Sequence, residues 1–166
     1  MYKTGILTIS DKGSRRERKD ESGKLLKEIL KKASFDVKAY TIVPDEKEII
    51  IKKLKEWVDK LQLDLILTTG GTGLTPRDVT PEATMEVIEK FVPGIAEALR
   101  MEGMKKTPFA MLSRAVAGIR RKTLIINLPG SPKAVKEGME ILLSILSHAL
   151  AKVQGDTTEC GRSENG

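Results

Sequence analysis

The chain has 166 residues, with 29 Lys and Arg against 23 Asp and Glu, a formal net charge of +6, and 40% hydrophobic and 31% charged residues. That composition suits a globular protein able to bury a core unaided, and it excludes wholesale disorder. One cysteine, Cys160, and one histidine, His148, leave no internal disulfide and no Cys/His zinc site.

The N-terminus runs into a strand pattern without a signal-peptide layout. The longest nearly apolar stretch, 141–151, contains Ser144, Ser147 and His148 and falls far short of the ~20 residues that span a bilayer. We therefore expect a cytoplasmic protein with no membrane span. The positive charge can attract anions such as nucleotides, or serve solubility alone. With one Trp, two Tyr and three Phe, the stacking inventory for single-stranded nucleic acid is poor.

In chain order, Thr4 to Ile9 reads as a buried strand, and Ser10 to Lys19 as a mobile basic loop. Asp20 to Ala33 has helical spacing of Leu25, Leu26, Ile29 and Leu30. Phe35 to Val43 is a strand stopped by Pro44, and Asp45 to Leu61 a helix carrying Ile50, Leu54, Trp57 and Val58. A third strand, Leu63 to Thr68, leads into Gly70-Gly71-Thr72-Gly73. Thr80-Pro81 reads as an N-cap with proline at the first helical position, opening a helix to about Phe91. Pro93 starts another helix toward Met104. Ala117 to Arg120 and Lys122 to Leu128 read as strands, and Ser131-Pro132 opens one long helix to about Gln154. Residues 1–154 form the expected domain, and Gly155 to Gly166 a disordered polar tail.

Alternating strands and helices predict a three-layer α/β/α fold around a mostly parallel sheet. Such sheets bind ligands beyond the carboxyl ends of their strands. Ser10-Asp11, Pro44-Asp45, the glycine-rich segment and Asn127-Leu128-Pro129-Gly130-Ser131 all follow strands, so all four should open on one edge.

Thr69-Gly70-Gly71-Thr72-Gly73 has more glycine than a strand-to-helix turn requires, which favours phosphate or nucleotide binding by backbone N–H groups. It is neither a Walker loop nor the dinucleotide fingerprint. Asp45 and Asp78 near such a site suit Mg²⁺, which takes oxygen ligands together with phosphate oxygens. Asp45 with Glu48 also fits a capping box, and the residues alone favour that cap. Asp78 is evenly balanced between a metal ligand and a local contact, either a turn hydrogen bond or a pairing with Arg77. Ser131-Pro132-Lys133 either starts a helix or also presents N–H groups and a lysine to an anion. Ser113-Arg114 is similarly open between phosphate contact and surface. Arg15, Arg16, Arg18 and Lys19 fit a solvated loop better than a flap over polyphosphate. His148 reads as packed, and Cys160 has no visible activating partner.

Five segments occur in one order: Val43-Pro44-Asp45-Glu46, Thr69-Gly70-Gly71-Thr72-Gly73, Pro76-Arg77-Asp78-Val79-Thr80-Pro81-Glu82-Ala83-Thr84, Leu112-Ser113-Arg114 and Asn127-Leu128-Pro129-Gly130-Ser131-Pro132-Lys133. In these the chain resembles the MogA/MoaB-type molybdopterin adenylyltransferases, over about residues 4–153. The resemblance implies transfer of AMP from ATP to the molybdopterin phosphate, with Mg²⁺ required, in molybdenum or tungsten cofactor biosynthesis. It matches the family's two functional aspartates to Asp45 and Asp78, as catalytic and metal-holding residues. It matches substrate-binding segments to Thr69, Gly70, Gly71, Thr72, Gly73, Ser113, Asn127, Pro129, Gly130, Ser131 and Lys133. It further implies a homotrimer, with a homohexamer as the alternative, and hand-over to a molybdenum-insertion enzyme. A non-catalytic molybdopterin carrier or scaffold of the same fold is the competing expectation, and the aspartate pair favours the enzyme.

Overall fold

Side chains alternate across each central strand, and this alternation divides the core. Within β1 (Lys3–Ile9), Ile6 faces one side while Leu7 and Ile9 face the other. In β3 (Leu65–Thr69), Leu65 and Leu67 oppose Ile66, and in β6 (Thr123–Leu128), Leu124, Ile126 and Leu128 oppose Ile125. Strands buried on both faces need helices on both faces. A computed structural model, describing residues 1–158, supplies them.

On one face, α2 (Glu21–Lys32), α6 (Pro132–Leu143) and α7 (Leu146–Gln154) bury Leu26, Leu30, Val135, Met139, Leu142, Leu146 and Leu150. Ile95 and Leu99 of α5 (Pro93–Met104) pack against the same cluster. On the other face, α3 (Lys47–Asp59) and α4 (Thr80–Val87) bury Ile50, Leu54, Trp57, Val58, Ala83 and Val87. Fully burying one such side chain contributes roughly 1.5–3 kcal/mol. The three-layer α/β/α expectation holds.

Among the described residues one six-stranded sheet forms. β2 (Asp36–Val43), β1, β3 and β6 are parallel, and β5 (Ala117–Arg120) and β4 (Lys90–Phe91) follow antiparallel in the order β2-β1-β3-β6-β5-β4. No described helix is long and apolar enough to cross a membrane.

Four local expectations are corrected. The segment after β1 opens with a short helix, α1 (Asp11–Ser14), because Ser10 Oγ accepts the Gly13 amide as its cap. The helix after Thr80 stops at Val87, because the Glu89 and Val92 amides donate to the Ile119 and Ala117 carbonyls and draw the chain into the sheet. Its N-cap is Val79, and the Thr80 hydroxyl donates instead to the Gly70 carbonyl. The expected 131–154 helix is two helices, and at the break the Ser144 amide and hydroxyl both donate to the Ile141 carbonyl. Ser131 does cap α6, accepting the Ala134 amide. In the expected tail, Gly155 ends α7 in the left-handed conformation, while residues 159–166, with Cys160, lie outside the described residues.

The chain reverses its build direction between β1 and β3: β2 is added on one side of β1, and β3 on the other. At such a switch point the loops following the two strands part and leave a crevice. Here the backbones also meet, because Gly70 (φ 97°) lies so close to the Ile9 carbonyl that a Cβ would overlap its oxygen. We expect Gly70→Ala to lower the denaturant-unfolding free energy by on the order of 2–3 kcal/mol. A denaturation midpoint equal to that of the unsubstituted chain would refute this packing.

Candidate active site

The glycine-rich loop is shaped by partners on three sides. Gly70 N–H donates to the Leu128 carbonyl, Thr80 Oγ and N–H donate to the carbonyls of Gly70 and Gly71, and Arg114 N–H donates to the Thr72 carbonyl. Gly71 sits at φ 67°, and a Cβ there would lie 3.1 Å from Asp45 Oδ1. The amides of Gly71, Thr72 and Gly73 donate no hydrogen bond among the described residues, so they remain for a ligand.

Asp45 does not cap α3. The helix starts at Lys47 with Glu46 as its N-cap, and no side chain caps it. Asp45 Oδ2 instead accepts the Asp11 amide at 2.8 Å, while Asp11 Oδ1 accepts the Asp45 amide at 3.0 Å. This reciprocal pair ties the loop after β2 to the loop after β1. Arg77, from the loop after β3, closes the group with two bonds to the Asp11 carboxylate at 2.9 and 3.0 Å. Arg77 therefore pairs with Asp11 and not with Asp78. The guanidinium holds the Asp11 carboxyl below the ordinary range. Burial pushes Asp45 the other way, and the Asp11 and Asp78 charges add to that rise.

Asp78 Oδ2 accepts both the amide and the hydroxyl of Thr75, at 2.9 and 2.8 Å, so the turn reading and proximity to the site hold together. Neither Asp45 Oδ1 nor Asp78 Oδ1 accepts a hydrogen bond among the described residues, leaving each an oxygen for a hard cation.

Two cavities meet here. A polar one of about 560 Å³ is lined by Asp45, Thr69, Gly70, Gly71, Asp78, Gly130 and Ser131, with Arg18 and Lys19 at its edge. A second, of about 700 Å³ and richer in apolar surface, is lined by Gly71, Thr72, Gly73, Asp78, Ser113, Pro129, Gly130 and Ser131, with Leu99, Phe109 and Ile141. Gly71, Asp78, Gly130 and Ser131 belong to both and form the wall between them.

Two expected binding residues lie elsewhere. Asn127 is fully buried beneath the site and lines neither cavity. Its amide donates to Thr68 Oγ and Thr84 Oγ at 3.0 and 2.9 Å, and its carbonyl accepts the Val116 amide. Lys133 is exposed on the first turn of α6 and lines neither cavity. Sequence reasoning passed over Asp20 and Ser22. Asp20 Oδ2 accepts Tyr40 and Thr8 hydroxyls at 2.5 and 2.6 Å, and its Oδ1 caps α2 at the Gly23 amide. Ser22 Oγ donates to the Gly130 carbonyl at 2.7 Å. The signal available for Asp20 was its N-cap position beside the first strand's loop.

The family profile described as "Probable molybdopterin binding domain" matches residues 5–148. The chain belongs to this family. Among relatives in the molybdopterin-binding family, a molybdopterin adenylyltransferase of Helicobacter pylori is 43% identical over 154 residues, covering 92% of this chain and 88% of its own. The crystal structure of the molybdopterin biosynthesis enzyme MoaB of Thermus thermophilus superimposes with a TM-score of 0.89 at 54% identity, over 94% of this chain and 98% of that one. The Drosophila melanogaster molybdenum cofactor synthesis protein cinnamon is 44% identical over 93% of this chain, which spans only 26% of that longer protein.

The raised carboxyl of Asp45 has a stability consequence. The folded protein holds this proton to higher pH than the unfolded chain does, so ionisation of Asp45 costs stability as pH rises through its folded-state value. Asp45→Asn removes that cost. In metal-free buffer the variant should melt progressively higher relative to the unsubstituted protein as pH is raised from the acid range to neutrality, the two converging in acid. Thermal melts in which the unsubstituted chain gains on the variant with rising pH would contradict this.

Proposed function

We propose that the chain is a molybdopterin adenylyltransferase, which joins AMP from ATP to the terminal phosphate of molybdopterin and releases pyrophosphate. The observation that carries this is the pair of adjoining cavities, with Asp78 on their shared wall and Asp45 lining the polar one. Each is in the size range of small-molecule sites, roughly 300–1,000 Å³, so two substrates fit side by side. The relatives' names support the same chemistry.

In the transfer, an oxygen of the pterin phosphate attacks the α-phosphorus of ATP. A new P–O bond forms, and the bond from the α-phosphorus to the α–β bridging oxygen breaks, sending its electron pair out with pyrophosphate. The nucleophile is the substrate's own phosphate, so no serine, cysteine or histidine is required. Positioning and charge stabilisation carry such reactions. The unbonded amides of Gly71, Thr72 and Gly73 point to binding of phosphate oxygens. Arg18 and Lys19 at the polar cavity offset further negative charge.

Asp45 and Asp78 suit Mg²⁺, because their free Oδ1 atoms are hard donors and this ion is commonly held by one or two carboxylates together with substrate phosphates. Bound there, the ion would neutralise charge on the phosphates. The aspartate pair also favours the enzyme over a non-catalytic carrier, which has no need of it. ATP use and the single cysteine support a cytoplasmic setting, with hand-over of the adenylylated pterin to a molybdenum-insertion enzyme.

We expect Asp45→Asn and Asp78→Asn each to reduce adenylyl transfer by about 100-fold or more, the effect of losing a few kcal/mol of charge stabilisation, while both variants stay folded. Quantifying adenylyl-molybdopterin and pyrophosphate from ATP, molybdopterin and Mg²⁺ measures this. Near-normal turnover in both variants would remove the catalytic assignment, and no product from the unsubstituted chain would leave the carrier.

We also propose a closed homotrimer, with a homohexamer as the alternative. Met101, Met104, Phe109, Met111 and Leu112 on α5 and the following 3-10 turn (Pro108–Leu112) are exposed, Phe109 to 75% and Met111 to 57%. Contiguous apolar surface of this kind marks an interface, and closed symmetry buries it without fibres. Light scattering across a dilution series should return a multiple of the 18.3 kDa chain mass. A single-chain mass at micromolar concentration would exclude the assembly.

A further inference from the structure

The segment from Gly73 to Asp78 leaves the protein surface and returns. Leu74, Thr75, Pro76 and Arg77 are exposed, Leu74 to 63%, so no apolar anchor holds the excursion down. Inside it the Asp78 amide donates to the Thr75 carbonyl and Asp78 Oδ2 accepts both Thr75 donors, which makes a local unit of four residues. That unit fixes how the carboxylate sits within the turn. It does not fix where the turn sits relative to Asp45.

Arg77 ties the outer tip of the turn to Asp11 and so to Asp45, and a second side chain holds its two ends. Arg114 lies between the 3-10 turn and β5 and lines neither cavity. Its Nε donates to the Gly73 carbonyl at 2.8 Å and its Nη2 to the Asp78 carbonyl at 2.7 Å, so a single planar group grips both ends of the excursion. Nη1 donates to the Glu82 carboxylate on α4, which balances the charge and holds the far edge of the guanidinium. Its own backbone is pinned at three places: Arg114 N–H donates to the Thr72 carbonyl, and Arg100 Nη1 donates to the carbonyls of Ser113 and Ala115 on either side. The donors of a guanidinium have fixed relative directions, whereas a lysine ammonium is a point charge on a flexible stem.

We propose that Arg114 is the positioning residue for Asp78: its guanidinium sets the separation of the Gly73 and Asp78 carbonyls and so places the Asp78 carboxylate on the wall between the two cavities. The inference rests on the reading of Asp78 as part of the adenylyl-transfer site. It assigns Arg114 away from the phosphate contact that its residue type suggested, because its donors are spent on the protein itself.

Arg114→Lys and Arg114→Met test it, with transfer assayed as above and amide hydrogen exchange followed along the chain. Both variants are expected to keep slow exchange in β1, β3 and β6, to exchange faster by about tenfold or more across 74–78, and to lose about 100-fold in kcat with the KM for molybdopterin changed by roughly threefold or less, since misplacement of a catalytic group by about 1 Å costs on that order. Added methylguanidinium should restore part of the kcat of Arg114→Ala and slow its exchange across 74–78. Unchanged exchange there in folded Arg114→Lys, or full kcat in either variant, would overturn the proposal. Should Arg114→Met fail to fold, Arg114→Lys carries both measurements. An unsubstituted chain that makes no adenylyl-molybdopterin would refute the transferase reading, and the exchange measurement would then decide the grip of Arg114 on the loop.

Discussion

Gly70 against the carbonyl of Ile9 is the contact on which the site is built. Two parallel strands that part at a switch point ordinarily leave their following loops free to diverge. Here the absence of a side chain lets the loop after β3 fold back over the end of β1, and a bond from Gly70 N–H to the Leu128 carbonyl holds it against β6. Once the loop lies there, its carbonyls meet Thr80 at the start of α4, and Gly71 comes up beside Asp45. Three strand ends thus converge on a few ångströms of backbone.

Charge then has to be managed in a small space. Asp11, Asp45 and Asp78 sit close enough for each of the other two to raise the carboxyl of Asp45. Arg77 offsets part of this by engaging Asp11, and Arg114 is matched with Glu82 away from the cavities. Asp45 is left half-buried with burial as the largest influence on its proton. A site that concentrates carboxylates in this way is costly to the empty protein and complementary to cations and to the phosphates they accompany.

Much of this was legible in the sequence, because apolar runs and loop chemistry are local properties. The β1, β3 and β6 strands, the helix beginning at Pro93 and the cap at Ser131 follow from residues within a few positions, and the sheet-edge rule gathered the four polar loops. Failures came where a distant partner competed with a local pattern. Asp45 and Glu48 have capping-box spacing, yet the amide of Asp11, 34 residues away, takes the carboxylate. The 131–154 segment keeps its apolar period through the break, since Leu142, Leu146 and Leu150 are all buried, so periodicity could not reveal it. Asn127 belongs to a loop motif in sequence but points into the layer beneath α4, where Thr84 receives it. The partners of Arg114 at Gly73 and Asp78 lie 41 and 36 positions away, beyond any local signal.

The sheet ends on one side in β2, eight residues long, and on the other in β4, two residues long. Lys90 and Phe91 offer too little free backbone for a neighbouring strand to join, so that edge gives no template for continuous growth. Met101, Met104, Phe109, Met111 and Leu112 are carried by helical segments, where fit depends on side-chain shape and not on a repeating ladder of main-chain bonds. A ladder adds copies without limit, whereas a shaped patch fills and stops. The short strand therefore acts as a terminator, closing that edge of the sheet to strand addition.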